Sequence, residues 1–297
     1  MISKKDFVAR AFSLGVNDVR FANAEGFLAF SETDRTDIQA RLSGTTCLIN
    51  LFTRYLPAKG APEGFMPLSA YYVASNTGYH AAKALSTWLR EQGASALHDD
   101  ALPARAAALR SGGFIGDNGF YYHDEFGSYV AIHTILTDAF PPDETAPVET
   151  APVENRCTHC GLCADACPSN ATADLSRCLR KHINYEIPEA LRGGVYQILG
   201  CERCQSACPL NPKGNSEPYS FALEALLSGE VTDAVRNLAG SNFVRSGRLK
   251  SQAALYTAAT GQRQLLPLLW ELFQTADEPV RSHALWAYEK LAREDKS

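Results

Sequence analysis

Apolar residues recur at helical spacing near the start of the chain, where Phe7, Ala11 and Leu14 share one face of a segment from Lys4 to Leu14. Asn17 to Ala22 then reads as a short strand. Cys47 to Phe52 is a better one, apolar and β-branched, and it closes at Tyr55-Leu56-Pro57. After a Gly/Pro-rich loop over Lys59 to Pro67, the helical period returns from Tyr79 to Gln92. Ala84, Leu85, Trp88 and Leu89 fall on its apolar side, and His80, Lys83, Thr87 and Arg90 on its polar side. Tyr79 and His80 stand at the start of that helix. Pro103 to Arg110 predicts another helix with proline in its first turn, broken by Ser111-Gly112-Gly113-Phe114-Ile115-Gly116. Ser128 to Leu136 is the strongest strand pattern of all. Strands interleaved with helices predict an α/β domain over residues 1–140.

Residues 141–155 change character. They are acidic, proline-rich and aperiodic, with a tandem Glu-Thr-Ala-Pro-Val repeat, and read as a solvated linker. Beyond Pro212 the pattern is helical throughout: Tyr219 to Leu227, Asp233 to Leu238, Gly247 to Thr260, Leu265 to Thr275 and Pro279 to Ala292. The paired segments resemble stacked HEAT-type hairpins, which predicts a helical domain over 216–297. Two such units are too few to stand alone, so this tail should pack on the segment before it. An unspecific helical cap fits the same pattern.

With 297 residues, 45% hydrophobic and 21% charged, the chain has the composition of a globular protein. No apolar run reaches the roughly 18 residues of a membrane span. Met1-Ile-Ser-Lys-Lys-Asp-Phe runs straight into the first helix with no apolar core or cleavage site, so the expectation is a cytoplasmic protein with no membrane partner. The net charge of −5 excludes a generic polyanion binder; a nucleic-acid contact would need a local basic patch.

The count that changes the picture is Cys 9. In a reducing compartment so many thiols point to metal rather than to disulfides. Cys47 sits alone in an apolar strand and reads as a buried core residue. The other eight all lie between Cys157 and Cys208. Cys157-x2-Cys160-x2-Cys163-x3-Cys167-Pro168 is the bacterial ferredoxin spacing for a four-iron cubane. Two-residue gaps let three thiolates wrap one face of the cluster, and the small Gly161 and Ala164 let backbone amides approach its sulfides. Cys201-x2-Cys204-x3-Cys208-Pro209 repeats the end of the pattern, with Cys178 between the groups. The fourth cysteine of such a run ligates the other cluster, so the expected sharing is Cys157, Cys160, Cys163 and Cys208 on one [4Fe-4S] cluster. Cys167, Cys178, Cys201 and Cys204 then hold the second. Zinc also uses C-x2-C pairs, but this run is a poor zinc spacing. The whole reads as a two-cluster ferredoxin-like module over 156–215.

These residues resemble the epoxyqueuosine reductases, cobalamin-dependent proteins with two cubanes. Ile49 to Pro57 is similar to the family's strand ending in Tyr-Leu-Pro, and Gly78-Tyr79-His80 to the end of its Gly-Arg-Asp-Tyr-His. Asp100-Ala101-Leu102-Pro103 resembles its Asp-Ser-x-Pro, Gly113-Phe114-Ile115-Gly116 its Gly-Trp-Ile-Gly, and Ile135 to Asp138 its strand end. Arg177-Cys178, Ile187 to Arg192, Gly200 to Gln205 and Cys208 to Asn211 follow in order. Arg248-Leu249-Lys250 and Val280 to Ala287 resemble the family's HEAT-like tail. The chain departs from the family in a short Phe27–Gly44 segment, in Asn76 and Thr77 before Gly78, in Asp117 for lysine and in Leu210 for tryptophan. It looks like a divergent, shortened member.

The resemblance implies a reductase that passes electrons through two [4Fe-4S] clusters to cobalamin and reduces an epoxide or hydroxyl on a queuosine-type base in tRNA. It implies a low-potential donor of ferredoxin or flavodoxin type, and a monomer. The departing oxygen needs an acid, and the resemblance assigns that role to Asp100. Read from the residues alone, Asp99 or Asp100 could equally cap the helix after Pro103. Asp117 and His123 lie in a loop open to cofactor contacts. An electron-transfer or corrinoid-reducing protein without a tRNA substrate is the alternative class. Arg177, Arg180, Lys181, Arg192 and Arg203 near the clusters, with Arg245, Arg248 and Lys250 in the tail, form a stripe that could hold phosphates or simply face solvent.

Overall fold

The computed structural model describes residues 2–24, 41–98, 102–141, 155–183 and 185–293. They fall into two compact units. The first comprises Met1–Tyr55, Ala74–His159 and Leu210–Pro212; the second comprises Leu56–Val73, Cys160–Pro209 and Lys213–Ser297.

The first unit is built on a four-stranded sheet in the order β1 (Asp18–Asn23), β2 (Cys47–Arg54), β7 (Val130–Thr137), β4 (Ala96–His98). Every pairing in it is antiparallel, with Asp18 opposite Phe52, Cys47 opposite Thr137 and His98 opposite Ile135. The expected α/β domain is thus an antiparallel sheet with helices on its faces rather than a parallel one. One of its two inner strands, β2, is buried at every position except Arg54 because both faces are covered. On one face Cys47, Ile49 and Leu51 pack with Phe7 and Ala11 of helix α1 (Lys4–Ser13), and with Leu85 and Leu89 of helix α2 (Ala70–Glu91). On the other, Leu48 and Leu136 pack with Ala106 and Ala107 of helix α3 (Ala104–Leu109). Double-sided burial explains the apolar run at Cys47–Phe52, interrupted only by Asn50, which is buried and hydrogen-bonded to the Ala107 carbonyl. Helix α1 is started by Ser3, whose Oγ accepts the Asp6 N–H at 3.1 Å.

Two readings change here. The helix expected from Tyr79 begins at Ala70, so Tyr79 and His80 lie in its middle rather than at its start. Gly78, which weakened the pattern, is retained inside the helix because a Cβ there would come within 2.6 Å of His133 Cδ2 and 2.8 Å of Thr53 Oγ1. Ala84, placed on the apolar side, is exposed. The strands β3 (Phe65–Pro67), β4, β5 (Phe114–Ile115), β6 (Tyr121–Tyr122) and β8 (Ser220–Ala222) are two or three residues long, too short to show a period of two. Residues 142–154 of the expected linker lie outside the described residues.

In the second unit one hydrophobic core joins the cysteine segment to the C-terminal helices. Leu179, Ile183, Ile187, Val195, Ile198 and Leu199 are buried with Leu223, Leu226, Leu249, Leu255, Leu269 and Leu291. Met66 and Leu68 join the same core, held there by the antiparallel pairing of β3 with β8. The helix Val280–Arg293 packs on both Ser246–Ala259 and Leu266–Thr275.

Candidate metal centre

The second unit carries seven of the eight clustered cysteines on short, tightly turned elements. Cys163 lies in the helical turn Leu162–Asp165 and Cys204 in Arg203–Ser206, and these two turns pack on each other. Each is followed by a cysteine and a proline, Cys167-Pro168 and Cys208-Pro209. The turn before Cys163 opens at Gly161, whose φ of +79° favours glycine. Cys160 is exposed, and Cys163, Cys167, Cys178, Cys201, Cys204 and Cys208 are half-buried.

Electrostatics ties the thiols together. Burial pushes the Cys204 thiol up to about 12, and the charges of Cys201, Cys178, Cys167 and Cys163 add to it. Cys201 is also raised, by burial first and then by Cys178 and Cys167 against the pull of Arg203. Cys167 goes the other way. Burial would raise it, but hydrogen bonds from the turn after it outweigh that, including the Ala171 N–H donated to Sγ at 3.2 Å. Thiols that raise one another when ionised together are relieved by a bound cation or cationic cluster, since metal binding deprotonates them. The donor set is all sulfur, with a backbone N–H already directed at one Sγ. That chemistry fits an iron–sulfur cluster.

Three polar groups that the sequence did not single out hold this segment. Gln252, fully buried in the helix Ser246–Ala259, accepts the Leu199 N–H at 2.7 Å and donates to the Ile183 carbonyl at 3.1 Å. Leu199 has φ +57°, a left-handed conformation rare outside glycine, directly before Gly200 and Cys201. Glu202, between Cys201 and Cys204, is buried; its Oε1 accepts from Ser69 Oγ at 2.7 Å and its N–H donates to the Tyr196 hydroxyl at 2.7 Å. His283 is fully buried, and its Nε2 accepts the Ile187 N–H at 3.1 Å. A glutamine mid-helix carries no periodic signal that separates it from a solvated one.

Cys157 belongs to the first unit, where its Sγ, a nitrogen of His159 and a carboxylate oxygen of Asp117 lie within 4.8 Å of one another. His159 Nδ1 is 2.9 Å from Asp117 Oδ1. Asp117 therefore engages the cysteine loop. His123 is buried in an ion network: its Nε2 is 2.8 Å from Asp18 Oδ2, and Arg20 reaches Asp18 at 2.8 Å and Asp124 at 2.9 Å. Arg156, directly before Cys157, also pairs with Asp124. Burial works to raise the Asp18 carboxyl, but hydrogen bonds and charge from His123 and Arg20 outweigh it and hold it at about 2. The network accounts for His123 structurally. The glycines of Gly113-Phe114-Ile115-Gly116 are likewise accounted for by packing, since a Cβ would meet Tyr121 at 2.5 Å from Gly113 and Tyr122 at 2.7 Å from Gly116. Cys47 is fully buried, and burial pushes its thiol up to about 12.

Asp100 lies outside the described residues. Helix α3, which either aspartate could have capped, has Pro103 at its cap position. Directly before the two aspartates, His98 meets His133 at 3.2 Å, and the Tyr79 ring packs edge-on against both.

Residues 152–171 match the family described as a 4Fe-4S binding domain, which supports the binding of a four-iron cluster by this segment. Relatives that match along the whole chain are more particular. The epoxyqueuosine reductase of Bacillus anthracis is 26% identical, with 97% of this chain and 89% of that protein aligned. The structure of epoxyqueuosine reductase from Bacillus subtilis, with its aspartate-bearing catalytic loop swung out of the active site, superposes with a TM-score of 0.76. Its identity is 23%, over 97% of this chain and 90% of that one. An epoxyqueuosine reductase holding an epoxyqueuosine-modified tyrosine-tRNA stem loop gives a TM-score of 0.73 at 22% identity, with the same coverage. The chain is similar to named epoxyqueuosine reductases over nearly its full length and shares their fold. No described helix is long and apolar enough to cross a membrane.

Proposed function

We propose that this protein is an iron–sulfur reductase of the epoxyqueuosine reductase type, with two [4Fe-4S] clusters, a corrinoid in the first unit and a queuosine-type base in tRNA as substrate. The observation that carries the reading is the gathering of Cys163, Cys167, Cys178, Cys201 and Cys204, whose ionised forms oppose one another until a cationic cluster binds them. The proposed ligand sets are Cys157, Cys160, Cys163 and Cys208 for one cluster, and Cys167, Cys178, Cys201 and Cys204 for the other. Full-length similarity to named epoxyqueuosine reductases supports the reaction class. A similar fold that holds a modified tRNA stem loop supports the substrate. A reduced corrinoid, when bound, would supply a strongly reducing metal centre. The chain's own part is to bind and orient the base and to protonate the departing oxygen, a role we give to Asp100. A catalytic loop bearing an aspartate in the Bacillus subtilis protein supports that choice. We read the C-terminal helices as a HEAT-type cap and the electron donor as a ferredoxin or flavodoxin.

The test is direct. Protein reconstituted anaerobically with iron, sulfide and cobalamin should convert epoxyqueuosine-containing tRNA to queuosine-containing tRNA with a low-potential reductant. Asp100→Asn should keep iron and corrinoid and lose roughly 10²–10⁴-fold in turnover, the usual scale for a general acid. Iron and corrinoid bound with no queuosine formed would move the protein to the electron-transfer class.

A further inference from the structure

Three donors of different kinds converge around one cysteine of the first unit. The Cys157 Sγ, a nitrogen of His159 and a carboxylate oxygen of Asp117 lie within 4.8 Å of one another. Among the described residues no other trio of histidine, cysteine, aspartate or glutamate side chains is drawn so close. A tetrahedral ion with bonds of about 2.0–2.3 Å needs its donors about 3.5 Å apart, so a small closure of these side chains completes the sphere. A cubane spreads its ligand sulfurs over separate iron atoms and takes thiolates, with no call for a nitrogen and a carboxylate beside one of them. The spacing is that of a single ion.

The trio is held in place by its own neighbours. Asn155 Oδ1 accepts the Cys157 N–H at 3.0 Å. Arg156 pairs with Asp124 and lies 5.5 Å from the centre of the Phe114 ring, so its charge is already committed. His159 takes φ +53°, the left-handed conformation that histidine adopts more readily than most residues. In that conformation its Nδ1 stands 2.9 and 3.0 Å from the two Asp117 oxygens. Asp117 and His159 are exposed and Cys157 is half-buried, so an ion can enter from solvent and keep a water in its fourth position. The donors also select the ion. Magnesium and calcium take oxygen ligands, and copper(I) prefers softer sets of several sulfurs. One sulfur, one nitrogen and one carboxylate oxygen suit zinc.

We propose that Asp117, Cys157 and His159 form a zinc site, filled while Cys157 is not a cluster ligand and emptied when it becomes one. The site goes beyond the reductase reading and is independent of its substrate; only the exclusion between ion and cluster rests on the ligand set given above. Cadmium-113 stands in for zinc, and its resonance moves with the number of sulfurs bound to it. The iron-free, reduced full chain loaded with cadmium should show one resonance of a one-sulfur site, apart from the thiolate-rich signals of the other cysteines. Asp117→Asn and His159→Asn should each weaken cadmium binding at that site by about 10-fold or more. Both variants should still reconstitute the full iron complement of the wild type, which shows that they fold. In iron-loaded wild type the one-sulfur resonance should be gone. An iron-free wild type whose circular dichroism matches that of the iron-loaded chain, yet which shows only thiolate-rich resonances, overturns the proposal. A one-sulfur resonance that survives both substitutions overturns it as well. The same resonance persisting in fully iron-loaded protein overturns the exclusion of ion by cluster. A failure to make queuosine falls on the reductase reading alone and leaves the zinc site standing.

Discussion

Nine thiols in one chain are distinguished by what each residue faces. Cys47 is walled by strand and helix side chains, and the clustered thiols face one another. Cys163→Ser should therefore remove about half of the reconstituted iron, and Cys47→Ala should leave it unchanged at a cost of about 1 kcal/mol in stability. Iron and sulfide assays beside a denaturant titration measure both. Equal iron loss in the two variants would contradict this division. Asp18 gives a pH test. Its folded-state pKa is held near 2 against an ordinary value of 3.8, so its contribution to stability is complete above about pH 4 and is lost as pH falls towards 2. With the carboxylate partly exposed, that contribution is about 1–2 kcal/mol. Asp18→Asn should thus unfold at lower urea than the wild type at pH 6, and the gap should narrow progressively below pH 4. A gap that stays constant to pH 2.5 would show that the network stabilises by shape alone. His123 and Asp117 looked open to a cofactor because a sequence does not show that Asp18, Arg20 and His159 fold back onto them.

Elements were legible in the sequence where they were long and one-sided. Helix α1, strands β2 and β7 and the last three helices fall where the apolar period placed them, within a few residues. Helix α2 was half missed because Asn76, Thr77 and Gly78 interrupt its propensity, while its packing on His133 and Thr53 carries it through. The three-residue strands depend on partners far away in sequence, as β3 depends on β8 and β4 on β7, and no local pattern encodes that. The cysteine spacing was legible because it is a local pattern. What supports the cysteines was not: Gln252 lies 51 residues beyond Cys201 in sequence, yet it holds the peptide of Leu199 just before that cysteine. Gln252→Ala would leave the Leu199 N–H and the Ile183 carbonyl buried without this partner, at about 1–3 kcal/mol for each. We expect a drop of several degrees in melting temperature and weaker iron retention after anaerobic reconstitution. Full iron in a variant melting at the wild-type temperature would show that the Leu199 turn holds itself.

At the scale of the whole molecule, the sequence suggested a metal module followed by a separate helical tail, with the tail resting on the module. The second unit is more interdependent than a docked tail requires. Leu223, Leu226, Leu249, Leu255, Leu269 and Leu291 from the helices are buried to 1% exposure or less in the same core as Leu179, Ile183, Ile187, Ile198 and Leu199 of the cysteine segment. Each such side chain contributes about 1.5–3 kcal/mol on burial, so these six together are worth roughly 10 kcal/mol or more. That is comparable with the entire stability of an ordinary domain, about 5–15 kcal/mol. Deleting residues 216–297 would also remove β8, the partner of β3, and Gln252 and His283, which hold the backbone at Leu199, Ile183 and Ile187. The truncated chain should therefore fail to retain iron even when reconstituted anaerobically, before any question of tRNA binding arises. Iron analysis, with cluster absorbance followed through gel filtration, measures this against the intact chain. A truncated protein that keeps its full iron complement and elutes as a compact species would mean the cysteine segment folds without the tail. The tail's contribution would then have to be sought at the substrate instead.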